Sequence, residues 1–199
     1  MSQLTVSPSP HIRSGITTQK IMLDVVIALV PTLIAAGIIF GIRAIALVSI
    51  CVLSCMVFER ISRFIMKREN TVSDLSAVVT GILLGFNLPV TLPFYVAIIG
   101  SFIAIVIVKQ LFGGLGQNFA NPAITARIVL MLSFPTAMTI WAEPFYYKQA
   151  DLITGATPLD MIAQGSTELP SMLDMFLGIR GGSLGETCAL TLILGGIYL

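Results

Sequence analysis

The stretch LDVVIALVPTLIAAGIIFGI, residues 23–42, contains a single charged residue, Asp24, among twenty positions. A helix needs about 20 mostly apolar residues to cross the hydrocarbon core of a bilayer, so this stretch predicts a transmembrane helix. Five further apolar segments follow along the chain, at residues 44–58, 75–88, 92–108, 123–140 and 184–199. The sequence therefore predicts an all-α fold: a polytopic transmembrane bundle of about six helices, whose shorter segments leave room for tilt or re-entry.

The composition agrees with this fold class. Apolar residues make up 56% of the chain, charged residues only 11%, and the mean hydropathy is +0.96, which lies outside the range of ordinary soluble domains. The net charge of +1 gives no basic field, and aromatic residues do not alternate with arginines. We therefore expect contact with membrane lipid and no binding of nucleic acid.

The placement of Lys and Arg predicts the orientation. The connection after the second apolar segment holds a basic cluster, Arg60, Arg63, Lys67 and Arg68, and basic loops stay in the cytoplasm. The long connection at 141–183 then emerges on the outer face, with an acidic balance and Trp141 at its start. We expect four parts: a cytoplasmic tail at 1–22, a five-helix membrane domain at 23–140, an outer-face loop at 141–183 and a sixth transmembrane segment at 184–199.

Two prolines bracket the connection between the third and fourth segments, Pro89 and Pro93. One interpretation is a broken helix, of the kind that forms sites in transporters. The other is a tight hairpin between two full helices, in which one proline ends a helix and the other starts one. Both interpretations remain open from the residues alone.

The three cysteines, Cys51, Cys55 and Cys188, all lie within apolar segments, where a thiol usually behaves as a small buried hydrophobe. Cys51 and Cys55 are four residues apart and share a helix face, so half of a metal or cluster site completed by another subunit is an alternative. A disulfide between them is disfavoured, because one helical turn provides poor geometry for it.

The loop contains the segment DLITGATPLD, residues 151–160. Thr157, Pro158 and Asp160 have the residue types of a helix start: threonine as N-cap, proline at the first helical position and a carboxylate at the third. Pro158 also favours an extended conformation for Thr157, which would present its hydroxyl outward. An anion attached to Thr157 would lie at a helix N-terminus, where free N–H groups stabilise negative charge.

Residues 151–157, Asp-x-x-Thr-Gly-Ala-Thr, resemble the flavinylation signal of the family that contains the D subunit of Rnf electron-transport complexes and the related B subunit of sodium-pumping NADH:quinone oxidoreductase. Six other segments resemble the same family in the same order, at residues 9–11, 81–85, 88–93, 113–118, 121–123 and 185–190. The resemblance implies FMN attached to Thr157 by a phosphoester bond. Asp151, Thr154, Gly155 and Ala156 then complete the flavinylation motif, and the 141–183 loop carries the flavin.

The resemblance also implies a function. We expect a membrane subunit of an Rnf-type ion-translocating oxidoreductase, not catalytic alone, in which electron transfer between ferredoxin and NAD is coupled to transport of Na⁺ or H⁺. The expected partners are Rnf subunits of the A, B, C, E and G types and a flavin transferase. The expected location is the bacterial inner membrane. Family members continue for several more helices, so we expect this chain to be the first half of an inverted-repeat fold.

A second, non-covalent flavin such as riboflavin among the helices is a further option that the resemblance leaves open. Asn121 and Arg127, at the start of the fifth segment, are the candidates to bind it near the inner face. The alternative for Asn121 is an ordinary N-cap before Pro122. The alternative for Arg127 is a side chain that extends to the cytoplasmic interface.

Two functions of other classes remain as alternatives. The proline-bracketed break is also typical of a channel or secondary transporter for a small solute, and that hypothesis expects no bound chromophore. The chain could also scaffold redox subunits without carrying electrons.

The glycine-rich segment at residues 113–118 lacks the Lys-Ser/Thr of a phosphate-binding loop, and we expect it to terminate a helix.

Overall fold

A computed structural model describes residues 15–69, 71–148, 155, 157–163, 165, 170–186 and 188–199. All regular elements in these ranges are helical. The helices are α1 (Thr18–Phe40), α2 (Ile42–Ile65), α3 (Ser76–Phe86), α4 (Phe94–Phe102), α5 (Pro122–Ser133), α6 (Pro135–Thr139), α7 (Pro158–Ala163), α8 (Met172–Leu177) and α9 (Ala189–Tyr198). A π-helix, Ile103–Gln110, continues α4, and two 3-10 turns occupy Val72–Asp74 and Tyr146–Lys148. The predicted all-α membrane bundle is confirmed.

Helices α1 and α2 are long enough to cross a bilayer, with mean hydropathies of 2.4 and 2.1 over their most apolar windows. Only 28% and 33% of those windows are buried within the chain, whereas the central helix of a soluble protein would be mostly buried. Large apolar side chains such as Ile38, Ile42 and Leu53 are at least 60% exposed. An apolar surface of this kind is suited to lipid rather than to water.

The turn between α1 and α2 consists of one residue, Gly41, whose φ of 75° favours glycine. The start of the long loop packs on this turn: Phe145 N–H donates to Ile39 O at 2.8 Å, and the Tyr147 hydroxyl donates to Ile38 O at 2.9 Å. We call this end of the bundle the loop end. The opposite end, where Arg60, Arg63, Arg68 and Lys109 lie, is called the basic end.

Helices α2 and α3 pack closely through small residues. A Cβ at Gly81 would lie 2.6 Å from the Cα of Val52 and 2.9 Å from its backbone nitrogen, so only glycine permits this separation of the two backbones. Close approach through small residues is the usual packing of membrane helices. Cys51 and Cys55 are fully buried on the same face of α2, as the apolar context of these thiols predicts.

The third apolar segment forms a helix over most of its length, but this helix is short. Helix α3 has eleven residues and is about 16 Å long, roughly half the thickness of a hydrocarbon core of about 30 Å. The chain then continues without regular structure to Pro93, with Leu88, Val90 and Leu92 at most 1% exposed. The stretch lies beside Arg43 near the loop end, and its apolar side chains are packed in the core of the bundle.

Hydrogen bonds replace the missing helical ones along this break. Arg43 Nε donates to Val90 O at 2.9 Å, and Arg43 Nη2 donates to Thr91 O at 3.3 Å. Phe86 O and Leu88 O accept from the N–H groups of Gly185 and Leu184. Because α3 and the π-helix meet again at the basic end, where Lys109 Nζ donates to Ser76 Oγ, the segment is a hairpin with one broken arm. It combines the two interpretations that the sequence left open.

Several predicted boundaries differ from the observed ones. Helix α2 runs to Ile65, seven residues beyond the predicted end, so Arg60 and Arg63 lie on the helix and not in the connection. Arginine is a good helix former whose long side chain reaches water from the helix surface, so its charge does not end the helix. The predicted fifth segment is divided at Phe134–Pro135 into α5 and α6, because proline interrupts helical hydrogen bonding.

Candidate functional site

Thr157 caps the start of α7. Its hydroxyl donates to Asp160 Oδ2 at 2.7 Å, and Asp160 N–H donates back to Thr157 Oγ1 at 3.2 Å. Thr157 N–H lies 3.4 Å from Asp160 Oδ2, which completes a reciprocal capping box. The predicted helix start at Thr157–Pro158 is confirmed, and the hydroxyl has a carboxylate in contact with it.

A cavity of about 350 Å³ opens beside Thr157. Its wall is drawn from α5, α6, the start of α7 and the segment before α9, and it includes Met131, Thr139, Trp141, Thr157, Asp160, Arg180, Ser183 and Glu186. The cavity therefore combines an aromatic ring, a hydroxyl and a cation in one place. Recognition of a ligand that has both a flat apolar part and an anionic part requires such a combination.

Gly155 is the one residue of the segment 151–156 that the structure describes. Its N–H donates to Trp141 O at 3.1 Å, which holds the segment against the start of the loop. A Cβ at this position would lie 3.0 Å from Glu143 Cγ, so a larger residue would crowd the loop beside Thr157. Asp151, Thr154 and Ala156 lie outside the described residues.

Three residues from distant parts of the chain meet beneath the cavity. Arg127 Nη1 donates to Asn87 Oδ1 at 2.8 Å and to Glu186 Oε1 at 3.2 Å. Asn87 lies at the end of α3, where the broken arm of the hairpin begins. This junction ties α5 to the broken segment and to the chain that enters α9.

Arg180 and Arg127 give Glu186, which precedes α9 at the loop end, a cationic environment. Arg180 Nη2 donates to Glu186 O at 3.1 Å. Partial burial alone would raise the pKa of Glu186, but the Arg127 hydrogen bond and the charges of the two arginines outweigh it and lower the pKa below its usual value. The carboxylate at the cavity wall is therefore held in its ionised form.

The alternative in which Arg127 extends to the cytoplasmic interface does not match the structure, where its partners are Asn87 and Glu186. The side chain points to Glu186, which lines the Thr157 cavity, because a guanidinium inside an apolar helix is best stabilised by a carboxylate within reach. Asn121 is confirmed as the N-cap of α5, with Oδ1 accepting from Ala123 N–H at 3.0 Å. The binding of a second flavin by these two residues stays a prediction.

The structure also contains a buried charged pair that neither hydrophobicity nor motifs predicted. Lys109 Nζ lies 3.0 and 3.1 Å from the two carboxylate oxygens of Glu59 and 2.6 Å from Ser76 Oγ. Thr71 Oγ1 and Gln110 Nε2 also donate to Glu59 Oε1, at 3.0 and 2.9 Å. The pair joins α2, α3 and the π-helix at the basic end.

The π-helix positions this pair. Its wider turns end with Leu111 N–H donating to Val106 O and Gly114 N–H donating to Lys109 O, both five residues back, and both Lys109 and Gln110 reach Glu59. Such turns are rare and occur often at functional sites. The spacing of residues could have predicted the burial of Glu59, since it follows Cys51 and Cys55 at four-residue intervals and so lies on the same buried face of α2.

The chain matches one known family over nearly its whole length. The model of the NQR2, RnfD, RnfE family matches residues 5–199. The chain is 51% identical over 199 residues to the D subunit of the Na(+)-translocating ferredoxin:NAD(+) oxidoreductase complex of Acetobacterium woodii, covering 98% of this chain and 62% of that protein. It is 41% identical over 204 residues to the D subunit of the proton-translocating ferredoxin:NAD(+) oxidoreductase complex of Clostridium ljungdahlii, covering 98% and 61%.

A third relative is more distant. The D subunit of the ion-translocating oxidoreductase complex of Rhodobacter capsulatus is 36% identical over 219 residues, covering 96% of this chain and 61% of that protein. The chain thus spans about three fifths of the length of these curated relatives. A family match over nearly all of the chain, together with these identities, shows that the chain belongs to the NQR2, RnfD, RnfE family.

Proposed function

We propose that this chain is part of a membrane subunit of an Rnf-type ion-translocating oxidoreductase and that it relays electrons through FMN bound covalently to Thr157. The names of the relatives support the first half of the proposal: they are D subunits of ferredoxin:NAD(+) oxidoreductase complexes that translocate Na⁺ or protons. One relative is named for Na⁺ and the other for protons, and both match this chain. The proposal therefore includes ion translocation but does not specify the ion.

The observation that carries the second half is the position of the Thr157 hydroxyl at a cavity that also contains Arg180. Arg180 Nε is buried and has no acceptor among the described residues, and a phosphate group offers oxygens that match a guanidinium. The indole of Trp141 supplies an apolar wall. The residues present therefore fit a phosphate-linked aromatic group on Thr157.

The residues around Thr157 have separable roles in this proposal. Asp160 Oδ2, 2.7 Å from the hydroxyl, would accept the Thr157 proton as the oxygen displaces the leaving phosphate of a flavin phosphoanhydride donor, which the flavin transferase would release. Arg180 then neutralises part of the new phosphoester charge, and Gly155 keeps the neighbouring backbone free of a side chain. Bound FMN supplies one- and two-electron chemistry, while the protein supplies position and charge.

The proposal includes a membrane orientation. Three arginines and Lys109 gather at the basic end, which supports a cytoplasmic location for it, and the loop end with the Thr157 cavity then faces the outside of a bacterial inner membrane. A hydrocarbon core of about 30 Å separates the two faces. We therefore expect further carriers and partners: Rnf subunits of the A, B, C, E and G types, a flavin transferase that loads Thr157, and an additional flavin such as riboflavin.

The test is the fluorescence of the denatured full-length protein on a gel, after expression with and without an active flavin transferase. Thr157→Ala should abolish the flavin band. Ser171→Ala is the matched control, because Ser171 caps α8 with Asp174 in the same geometry, its hydroxyl donating to Asp174 Oδ2 at 2.6 Å. It should keep the band. A band that survives in Thr157→Ala would refute attachment at this residue.

A secondary transporter for a small solute is the alternative function, and the broken arm of the α3–α4 hairpin favours it. The transporter hypothesis predicts no fluorescent band in the wild-type protein even with the transferase present. The same gel therefore decides between the two proposals. A scaffold role would instead keep the electron transfer of the intact complex unchanged in Thr157→Ala.

A further inference from the structure

A second cavity, of about 330 Å³, lies at the basic end and has no part in the proposed electron relay. Its lining residues are Arg60, Ile61, Arg63, Phe64 and Arg68. We propose that this cavity binds the headgroup of an anionic phospholipid, with the arginines on the phosphate and the apolar residues against the acyl chains.

The local fold concentrates the three arginines. Arg60 and Arg63 are three residues apart and lie on neighbouring positions of the last turns of α2. Lys67 then takes the left-handed conformation, with φ of 52°, and reverses the chain, so that Arg68 N–H donates to Arg63 O at 3.0 Å. Arg68 Nη1 donates to Gln110 O at 3.2 Å. The reversal therefore returns a third guanidinium to the same cavity.

These guanidinium groups have no anionic partner in the part of the chain that the structure describes. The ion pairs found there are Lys109–Glu59 and Arg127–Glu186. Arg63 Nε is buried without an acceptor among the same residues. A buried donor that lacks an acceptor is unfavourable, and a phosphate, with several oxygens, would give the cluster the acceptors that the protein does not supply.

The partial negative charge at the C-terminus of α2 reduces the attraction of the cavity for a phosphate only slightly. A helix C-terminus has roughly half a negative elementary charge, against three full positive charges. The carbonyls of Ser62, Arg63 and Phe64 are also occupied by N–H groups of the turn that follows. The net field of the cavity is therefore positive.

The apolar part of the lining favours a lipid over a soluble anion. The Phe64 side chain is 84% exposed and Ile61 is 47% exposed, and both belong to a helix whose outer surface is suited to lipid. A soluble phosphate would leave these side chains unused, whereas acyl chains would cover them. Basic cavities at the cytoplasmic ends of membrane helices are suited to anionic headgroups.

The absence of a side chain at Gly114 leaves space for Arg63. A Cβ at Gly114 would collide with Arg63 Nη2, so the glycine turn that ends the π-helix also makes room for a guanidinium. Helix termination by the glycine-rich segment is confirmed, because Gly113, Gly114 and Gly116 all have positive φ. Its close contact with Arg63 was not foreseen.

The experiment is a titration of the full-length protein in detergent with phosphatidylglycerol or phosphatidylcholine, with bound lipid counted by native mass spectrometry. Arg60→Gln/Arg63→Gln should weaken phosphatidylglycerol binding about tenfold or more, because a hydrogen bond to a charged group contributes about 1.5–3 kcal/mol and 1.4 kcal/mol is tenfold. Lys20→Gln/Lys148→Gln, which removes the same charge outside the cavity, should change it less than about twofold on the same scale.

Each of the following results would overturn the proposal. An equal loss in both double variants would indicate a diffuse surface field, and displacement of the lipid by equimolar glycerol 3-phosphate would indicate a soluble-anion site. Cross-linking of the Arg68 region to another protein of the complex, in a preparation that retains no lipid, would indicate a protein interface. If the double variant does not fold, Arg63→Lys is the test instead. This substitution keeps the positive charge but removes the planar guanidinium that binds a phosphate through two hydrogen bonds. Unchanged affinity for phosphatidylglycerol would then also reject the site.

Discussion

The Lys109 ammonium lies 3.0 Å from Glu59 Oε1 and 3.1 Å from Glu59 Oε2, and the two side chains are 2% and 0% exposed. Each charge compensates the other in a place that water does not reach. Removal of one partner from such a pair typically costs about 3–5 kcal/mol, whereas replacement of both by apolar groups is often neutral. Single and double substitutions of Glu59 and Lys109 should therefore differ in their effect on stability, and the comparison between them tests the ion pair.

We expect Lys109→Met to lower the free energy of unfolding by about 3 kcal/mol or more, because it leaves the Glu59 carboxylate buried without its cation. Glu59→Leu/Lys109→Met should recover part of this loss, because the buried charge is gone while Thr71 and Gln110 lose the acceptor that Glu59 provides. The measurement is SDS titration of the full-length protein in mixed micelles. Lys20→Met, at an exposed site in α1, is the control and should have little effect. A Lys109→Met variant as stable as the control would contradict a buried ion pair.

The packing of α9 on α1 can be tested with two adjacent glycines. A Cβ at Gly195 would collide with Ala28 O, whereas a Cβ at Gly196 would have nothing within 4 Å. Gly195→Ala should therefore destabilise the protein by about 1–3 kcal/mol. Gly196→Ala should be neutral or stabilising by up to about 1 kcal/mol, since alanine favours the helix. Equal melting temperatures for the two variants would show that α9 does not pack in this register.

The stability of the Arg127–Glu186 junction should depend on pH. The folded-state pKa of Glu186 is lowered, so the ionised carboxylate contributes stability above the unfolded pKa, near the ordinary value of 4.5, and this contribution is lost as the pH falls through the folded pKa. The Glu186 side chain is 58% exposed, so solvent screening limits the effect to about 1 kcal/mol or less.

The corresponding measurement compares wild type with Glu186→Gln and Arg127→Met from pH 7 down to about pH 3, below the usual range of a carboxyl pKa. The wild type should be the more stable protein at pH 7, and its advantage over Glu186→Gln should vanish at the acidic end. Arg127→Met should lose part of the same dependence. A constant difference between wild type and Glu186→Gln across the whole range would refute a lowered pKa for this carboxyl.

Asp160 and Asp174 provide a matched pair for flavin attachment. Each accepts a hydrogen bond from the hydroxyl of an N-cap three residues earlier. Asp160→Asn should lower the yield of flavin-labelled chains about tenfold or more at a fixed, short labelling time, because general-base assistance typically contributes 10²–10⁴ in rate. Asp174→Asn should leave the yield unchanged. A similar decrease in both variants would indicate loss of loop structure rather than loss of a proton acceptor.

Hydrophobicity alone predicted the helical class and the approximate position of every apolar segment, because a bilayer allows few alternatives to the helix. Its predicted end for the third segment, residue 88, lies two residues beyond the last helical residue, Phe86, but the pattern did not predict what stabilises the break that follows. That break depends on Arg43, which supplies hydrogen bonds to the carbonyls beyond it from 47 residues away in sequence. Partners at such separations leave no periodic signal.

The candidate site was predictable where chemistry is local. Thr157, Pro158 and Asp160 lie within four residues, and their capping geometry is confirmed. The direction of Arg127 was not predictable, since it depends on Asn87 and Glu186, which lie 40 and 59 residues away in sequence. Glu59 was missed because its neighbour Arg60 suggested a solvated connection, although its position one turn after Cys55 lies on a buried stripe.

The π-helix has a consequence for the ancestry of this chain. Its wider turn is equivalent to the insertion of one residue into an ordinary α-helix, and removal of that residue would rotate Lys109 away from Glu59. A single in-frame codon would thus separate a chain with the buried pair from one without it. Among relatives, we expect the loss of Glu59 or Lys109 to coincide with a one-residue deletion between residues 103 and 108. An alignment of relatives would then show at which branch the buried pair arose.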